Sequence, residues 1–138
     1  MRITTFTLMK SLKTINNFNG YLERYNNQLI DVSLHIYLQR LAEEKGVALA
    51  TIAAKSGLGD YVYKLWNGKR QPTRSGVISL AFAMGLSLEE TQRLLRTGGF
   101  AGLDPRRLRD SALIFSLEKG YSVMEANELL DEIGEKLL

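Results

Sequence analysis

Along most of the chain, apolar positions recur at intervals of three and four, the spacing that gathers them on one face of an α-helix. Leu34, Tyr37, Leu38, Leu41 and Ala42 form one such stripe, with Gln39, Arg40, Glu43 and Glu44 left to face water. The pattern predicts a helix from about Ser33 to Lys45, ended by Gly46. Ile52 and Ala53 open a shorter run that stops at Gly57, and Val62, Leu65 and Trp66 supply the inward face of the next, which stops at Asn67-Gly68. Thr73-Arg74-Ser75 then opens a helix through Met84. Its apolar positions, among them Val77, Ile78, Leu80, Ala81 and Phe82, surround most of the circumference, so this helix is expected at the centre of the core. Gly85 ends it, and Ser87 with Glu90 forms a capping box for a helix carrying Leu88, Leu94 and Leu95 up to Gly98-Gly99. Asp104-Pro105, a capping residue followed by a first-turn proline, predicts a helix from Pro105 to Gly120. Ser122 and Glu125 cap a last helix, expected to end near Leu138.

The first 33 residues carry two weaker stripes, Leu8, Leu12 and Ile15, then Tyr21, Tyr25 and Leu29, with Asn16-Asn17 and Asn19-Gly20 as breakers. Two short amphipathic helices are expected there. The last four predicted helices also repeat one another. An offset of 35 residues matches Arg74 with Arg109, Gly85 with Gly120, Ser87 with Ser122, Glu90 with Glu125, Leu94 with Leu129 and Leu95 with Leu130. Six identities over 22 positions exceed the roughly one or two that composition supplies. Two stacked helical hairpins are one reading; similar features shared by any two capped hairpins are the other. The expected architecture is therefore all-α, with an arm at 1–33, a helical domain at 34–97 and a C-terminal hairpin at 98–138 packed on it. Leu38, Leu41, Ile52, Val62, Trp66, Ile78, Phe82, Leu94, Leu113 and Leu117 are the expected core.

Composition removes several classes of function. The 138 residues leave no room for a second catalytic domain, and the absence of cysteine excludes disulfide scaffolds, thiolate zinc sites and cysteine nucleophiles. His35, the single histidine, has no second ligand at helical spacing and is expected in a surface or capping turn, so no metal site and no cofactor is predicted. No glycine-rich loop follows a strand, and Glu89 and Glu90 fall beside a capping box rather than near a nucleophile, which makes an enzyme the third choice. No run reaches the length of a membrane span and the start of the chain lacks a signal-peptide core, so the expectation is a cytoplasmic protein with no membrane partner. Charge is distributed unevenly. Residues 64–109 carry nine basic and three acidic side chains, whereas 110–138 carry two basic and seven acidic. A basic block beginning in the third predicted helix of the domain points that face towards phosphate.

The stretch VALATIAAKSGLGDYVYKLWNGKRQP, residues 47–72, reads as two short helices joined by a tight turn, with Gly57 where the turn needs a positive φ. With LHIYLQRLAEEKG before it and VISLAFAMGLSLEETQRLL after it, the segment from Leu34 to Leu95 resembles the lambda-repressor-type (Xre-like) helix-turn-helix domain of small bacterial and phage regulators. It is most similar to a branch marked by Tyr-x-Tyr before the basic strap, here Tyr61 and Tyr63, and by LAFxxGLxLEETxxLL after it. In that branch the similarity continues through RRLRDSALIFSLEKGYSVMEANELL. The resemblance implies a sequence-specific duplex-DNA-binding regulator whose recognition helix, about 59–66, enters the major groove, with the strap 67–74 on phosphates. It assigns base-edge or phosphate contacts to Gly59, Asp60, Tyr61, Tyr63 and Lys64, and backbone positioning to Asn67, Lys69, Arg70 and Arg74. Asp60 is expected to be the N-cap of that helix.

Ala48 and Leu49 stand where the family often places a capping Ser or Thr and a phosphate-binding Gln, and the Gly57-Leu58-Gly59-Asp60 turn is about one residue shorter than usual in the branch. Two readings follow. The first is a DNA-binding transcription regulator, acting as a homodimer through Leu12, Ile15, Tyr21 and Tyr25 of the arm or through the last hairpin. The second is a protein-interaction module on the same fold, antitoxin-like or adaptor, meeting its partner through the C-terminal hairpin.

Overall fold

The computed structural model describes residues 3–25 and 33–138, and among these residues every regular element is an α-helix. In chain order they are α1 (Thr5–Thr14), α2 (Phe18–Tyr25), α3 (Leu34–Lys45), α4 (Leu49–Ser56), α5 (Asp60–Trp66), α6 (Arg74–Ala83), α7 (Leu88–Thr97), α8 (Leu108–Glu118) and α9 (Val123–Glu132). The fold is all-α, as the periodicity predicts. The chain divides between Ile30 and Asp31 into two compact units.

In the first unit Thr4 caps α1 by accepting from the Thr7 N–H at 3.3 Å. Leu8, Ser11 and Ile15, half-buried, lie on the inner side of α1, and the Ser11 hydroxyl meets the Tyr25 hydroxyl at 2.8 Å. Tyr21 and Tyr25 are buried, with ring centroids 5.1 Å apart. Leu12, expected in the stripe, is instead 42% exposed, because the inward turn of α1 is completed by Ser11 one position earlier. Leu29 lies outside the described residues.

The second unit is built around α6. Gly76 to Met84 are all buried, so this helix has no solvent face; it packs on α4, α7 and α9, while α3 packs on α5 and α7. The core runs without a break from Leu38 and Ile52 through Ile78 and Leu94 to Leu113 and Leu130, so α8 and α9 share it with the helices before them. Nine of the ten residues expected in the core are buried, and Leu117 is half-buried against it. An ion pair of 2.8 Å between Lys45 and Glu90 ties α3 to α7 at the surface, and the hydrogen bond from the Lys45 ammonium holds the Glu90 carboxyl below its ordinary range.

The repetition is borne out at the level of single hydrogen bonds. Shifted by 35 residues, Leu88–Thr97 falls on Val123–Glu132, the bounds of α7 and α9. Both capping boxes form, Ser87 with Glu90 and Ser122 with Glu125. Gly85 and Gly120 take the positive φ, 66° and 70°, that lets each hairpin turn. Arg74 Nε donates to Ala101 O at 3.1 Å and Arg109 Nε to Lys136 O at 2.8 Å. A terminal nitrogen of each arginine reaches the next carbonyl, Gly102 O at 3.0 Å and Leu137 O at 3.2 Å. The side-chain amides of Gln92 and Asn127 accept the Leu103 and Leu138 N–H groups in turn. Each repeat is thus a helical hairpin whose trailing segment is clamped by the arginine that opens it.

Two predicted helix ends are corrected. The helix expected from Pro105 begins at Leu108, with Arg107 extended at its N-cap. Asp104 does cap, but it caps a separate turn, its carboxylate accepting the Arg106 N–H at 2.9 Å while its own N–H donates to Asp110 at 3.0 Å. The last helix ends at Glu132 rather than near Leu138, because Gly134, at φ 74°, turns the chain back towards Arg109.

Candidate nucleic-acid interface

The α4–α5 pair is joined by the three residues Gly57, Leu58 and Gly59. Gly57 (φ 72°) stops α4 and Gly59 (φ 60°, ψ −135°) starts α5, backbone values that an L side chain resists. Between them Leu58 packs on the core while its N–H donates to the buried Ser56 hydroxyl at 3.2 Å. The short turn is therefore closed by two glycines and one serine. Gly59 is the N-cap of α5, so Asp60 is its first residue and not its cap; no side-chain cap bond forms there. Its charge still lies in the first turn, where the helix dipole favours an anion.

Val62, Leu65 and Trp66 anchor α5 in the core. Asp60, Tyr63, Lys64 and Asn67, at i, i+3, i+4 and i+7, share the opposite face and are all exposed. Gln39 of α3, expected to face water, donates its amide to Trp66 O at 2.8 Å and so satisfies a carbonyl at the end of α5. Gly68 (φ 73°) carries the chain past the His35 ring, where a Cβ would meet the imidazole at 2.9 Å. His35 itself sits in the capping turn of α3, its Nδ1 2.6 Å from the Ser33 hydroxyl. Among the described residues no group of three possible metal ligands occurs.

The strap that follows is stitched down at several points. The Lys69 N–H donates to Lys64 O at 2.9 Å, and the Tyr61 hydroxyl donates to Gln71 O at 3.2 Å while accepting the Thr73 N–H at 3.0 Å. Gly76 makes room for the Tyr61 ring, since a Cβ there would lie 3.1 Å from Cε1. The Arg70 guanidinium carbon stands 6.0 Å from the centre of the same ring. Lys69 and Arg70 are exposed, on a strap whose backbone is tied at Lys69, Gln71 and Thr73.

Two residues expected at the interface do other work. Tyr61 is half-buried with its hydroxyl committed to the strap, because the ring faces α6 rather than outward. Arg74 is turned away from the strap: its guanidinium meets both oxygens of Asp110, at 3.0 and 2.9 Å, besides the two carbonyls it clamps. Burial pushes the Asp110 carboxyl up, but the Arg74 hydrogen bonds, the Asp104 N–H and the charges of Arg74 and Arg109 outweigh it and hold the group below the ordinary carboxylate range. Gly59, exposed, supplies the positive φ at the start of α5. Asp60, Tyr63, Lys64 and Asn67 share one exposed face of α5, and Lys69 and Arg70 are exposed on the strap that follows it.

At the start of α4, Ala48 makes no side-chain cap bond and Leu49 packs half-buried on the core, so neither offers a polar group to a phosphate. Gln39 and Asp110 are supports that the sequence pattern did not reveal; each acts on a residue 27 or 36 positions away, and no local signal marks such a pair. Set against protein-family models, curated proteins and solved structures, the chain matches none. Among the described residues no helix is long and apolar enough to cross a membrane.

Proposed function

We propose that this chain is a non-enzymatic, cytoplasmic regulator of the lambda-repressor-like helix-turn-helix kind, binding duplex DNA as a two-fold dimer. In this reading α4–α5 is the helix-turn-helix and α5 enters the major groove. The observation that carries it is the exposed α5 face of Tyr63, Lys64 and Asn67, followed in the chain by the exposed Lys69 and Arg70 on a strap tied down at Lys69, Gln71 and Thr73. A preset strap loses little conformational freedom when its cations meet phosphates. Tyr63 and Lys64 reach base edges or phosphates, Asn67, Lys69 and Arg70 position the backbone, and Asp60 opposes the phosphates.

Three cations per copy, Lys64, Lys69 and Arg70, give a dimer about six phosphate contacts, so log K for duplex DNA should fall against log[salt] with a slope on the order of −5. Replacing Lys69 and Arg70 by Ala should weaken binding to every sequence and remove about 3 to 4 from that slope. Fluorescence anisotropy over a salt series measures both, and a double variant that binds like the parent takes the strap off the DNA. The acidic surface of α9 favours a second reading, a protein-interaction module on the same fold, which predicts little or no salt-dependent duplex binding.

A further inference from the structure

The outward side of α1 is built like a docking face. Phe6, Met9, Lys10 and Lys13 fall at i, i+3, i+4 and i+7 and so lie together, opposite the Leu8, Ser11 and Ile15 side. Phe6 is 78% and Met9 52% exposed, and α1 contains no acidic residue. The second unit holds a surface of complementary chemistry. A groove of about 590 Å3 runs between the end of α4 and α9, with Ala54, Val123, Met124 and Leu137 as apolar lining. Glu128 and Asp131 stand along its α9 side, while Lys55 occupies the α4 side. The two acids are three residues apart on one helix, as are Lys10 and Lys13 on the other, so two helices laid side by side can set both pairs opposite one another.

We propose that α1 of one copy docks in the α4–α9 groove of a second copy, reciprocally, with Phe6 and Met9 in the apolar lining and Lys10 and Lys13 against Glu128 and Asp131. A second copy is the occupant because one chain carries both halves of the match, and a two-fold pair then covers both apolar faces twice over. Lys55 fixes the orientation, since it repels the α1 lysines from the α4 wall and leaves them the α9 wall. The inference rests on the dimer named under the proposed function and supplies its interface.

Sedimentation of the full chain without DNA tests it, using two charge-reversed variants. One combines Lys10→Glu with Lys13→Glu; the other combines Glu128→Lys with Asp131→Lys. Each alone should dissociate at least about tenfold more readily than the parent. Mixed together they should form a heterodimer as stable as the parent dimer, because both crossed contacts are again between opposite charges. Phe6→Ala, at a site too exposed to support a core, should weaken the parent dimer by about tenfold. A parent chain that is a monomer at tens of micromolar overturns the dimer and this interface together. A parent dimer that tolerates both variants and Phe6→Ala overturns the interface alone, and so does a mixture in which the two variants fail to pair.

Discussion

Tyr61 and Tyr63 stand two positions apart on α5 and are turned to different tasks by the helix. Tyr63 is 43% exposed on the outward face, whereas the Tyr61 hydroxyl bridges Gln71 O and the Thr73 N–H. Tyr61→Phe should therefore cost about 1 kcal/mol of stability for the hydrogen bonds lost and also weaken DNA binding, because the strap loses its brace. Tyr63→Phe should leave the melting temperature unchanged and act on DNA affinity alone. Thermal melts and anisotropy titrations on the two variants separate these outcomes, and a Tyr61→Phe protein as stable as the parent would show that the brace is unnecessary. Asp60 is a simpler case. It lies in the first turn of α5 without capping it, so its charge serves the helix dipole and, in the proposed DNA complex, opposes the phosphate backbone. Asp60→Asn should melt close to the parent and tighten non-specific DNA binding several-fold at low salt, with the gain shrinking as salt is raised. An unchanged affinity would place Asp60 away from the DNA.

At the scale of elements, the Arg74–Asp110 pair joins the start of α6 to the first turn of α8 across 36 residues, with Asp110 almost fully buried. Asp110→Asn should cost about 2 to 3 kcal/mol at neutral pH, since it leaves the Arg74 charge without its counter-ion in a partly desolvated place. The folded-state pKa of Asp110 lies below its unfolded value. The stabilisation is therefore complete above the unfolded carboxylate pKa of about 3.9 and is lost as pH falls through the folded value. Urea unfolding should show a large gap between parent and variant at pH 7 and a narrowing one below about pH 4. An equal gap at both ends would mean that the cost comes from packing rather than charge. The same pair marks where reading from sequence stops. Features carried by neighbours in the chain were legible: the stripes, the two capping boxes, the glycines that end helices and the 35-residue period. The start of α8 was not, because Asp104 and Pro105 carry a local cap signal that is overridden when Asp110 and Arg74 hold that segment as a turn. For the same reason the sequence alone assigns Tyr61 and Arg74 to the expected DNA contacts. Their residue types suit phosphate, and only the tertiary partners, Gln71, Thr73 and Asp110, show that their donors are committed elsewhere.

At the scale of the molecule, the segment that resembles the wider helix-turn-helix family ends near Leu95, yet the core does not end there. α6 is buried from Gly76 to Met84 with no side left for solvent, and part of that cover is α9. Leu103, Leu113, Val123, Ala126 and Leu130 belong to the same cluster as Ile52 and Ile78. Ending the chain at Gly99 would remove those five side chains and α9, and it would strip Arg74 of Asp110 and of the carbonyls of Ala101 and Gly102. Burying one aliphatic side chain of leucine or valine size is worth roughly 1.5 to 3 kcal/mol, and the whole stability of a domain this size is about 5 to 15 kcal/mol. Uncovering even two or three such contacts on α6 and α7 consumes most of that margin. A chain of residues 1–99 should therefore lose its cooperative thermal transition and bind a hydrophobic dye, although it retains the α4–α5 pair and the strap. Circular dichroism melts of the truncated and full chains decide this. A truncated chain that melts cooperatively near the parent temperature would mean that α8 and α9 are an accessory to a self-sufficient domain, and the 35-residue repetition would then carry no structural weight.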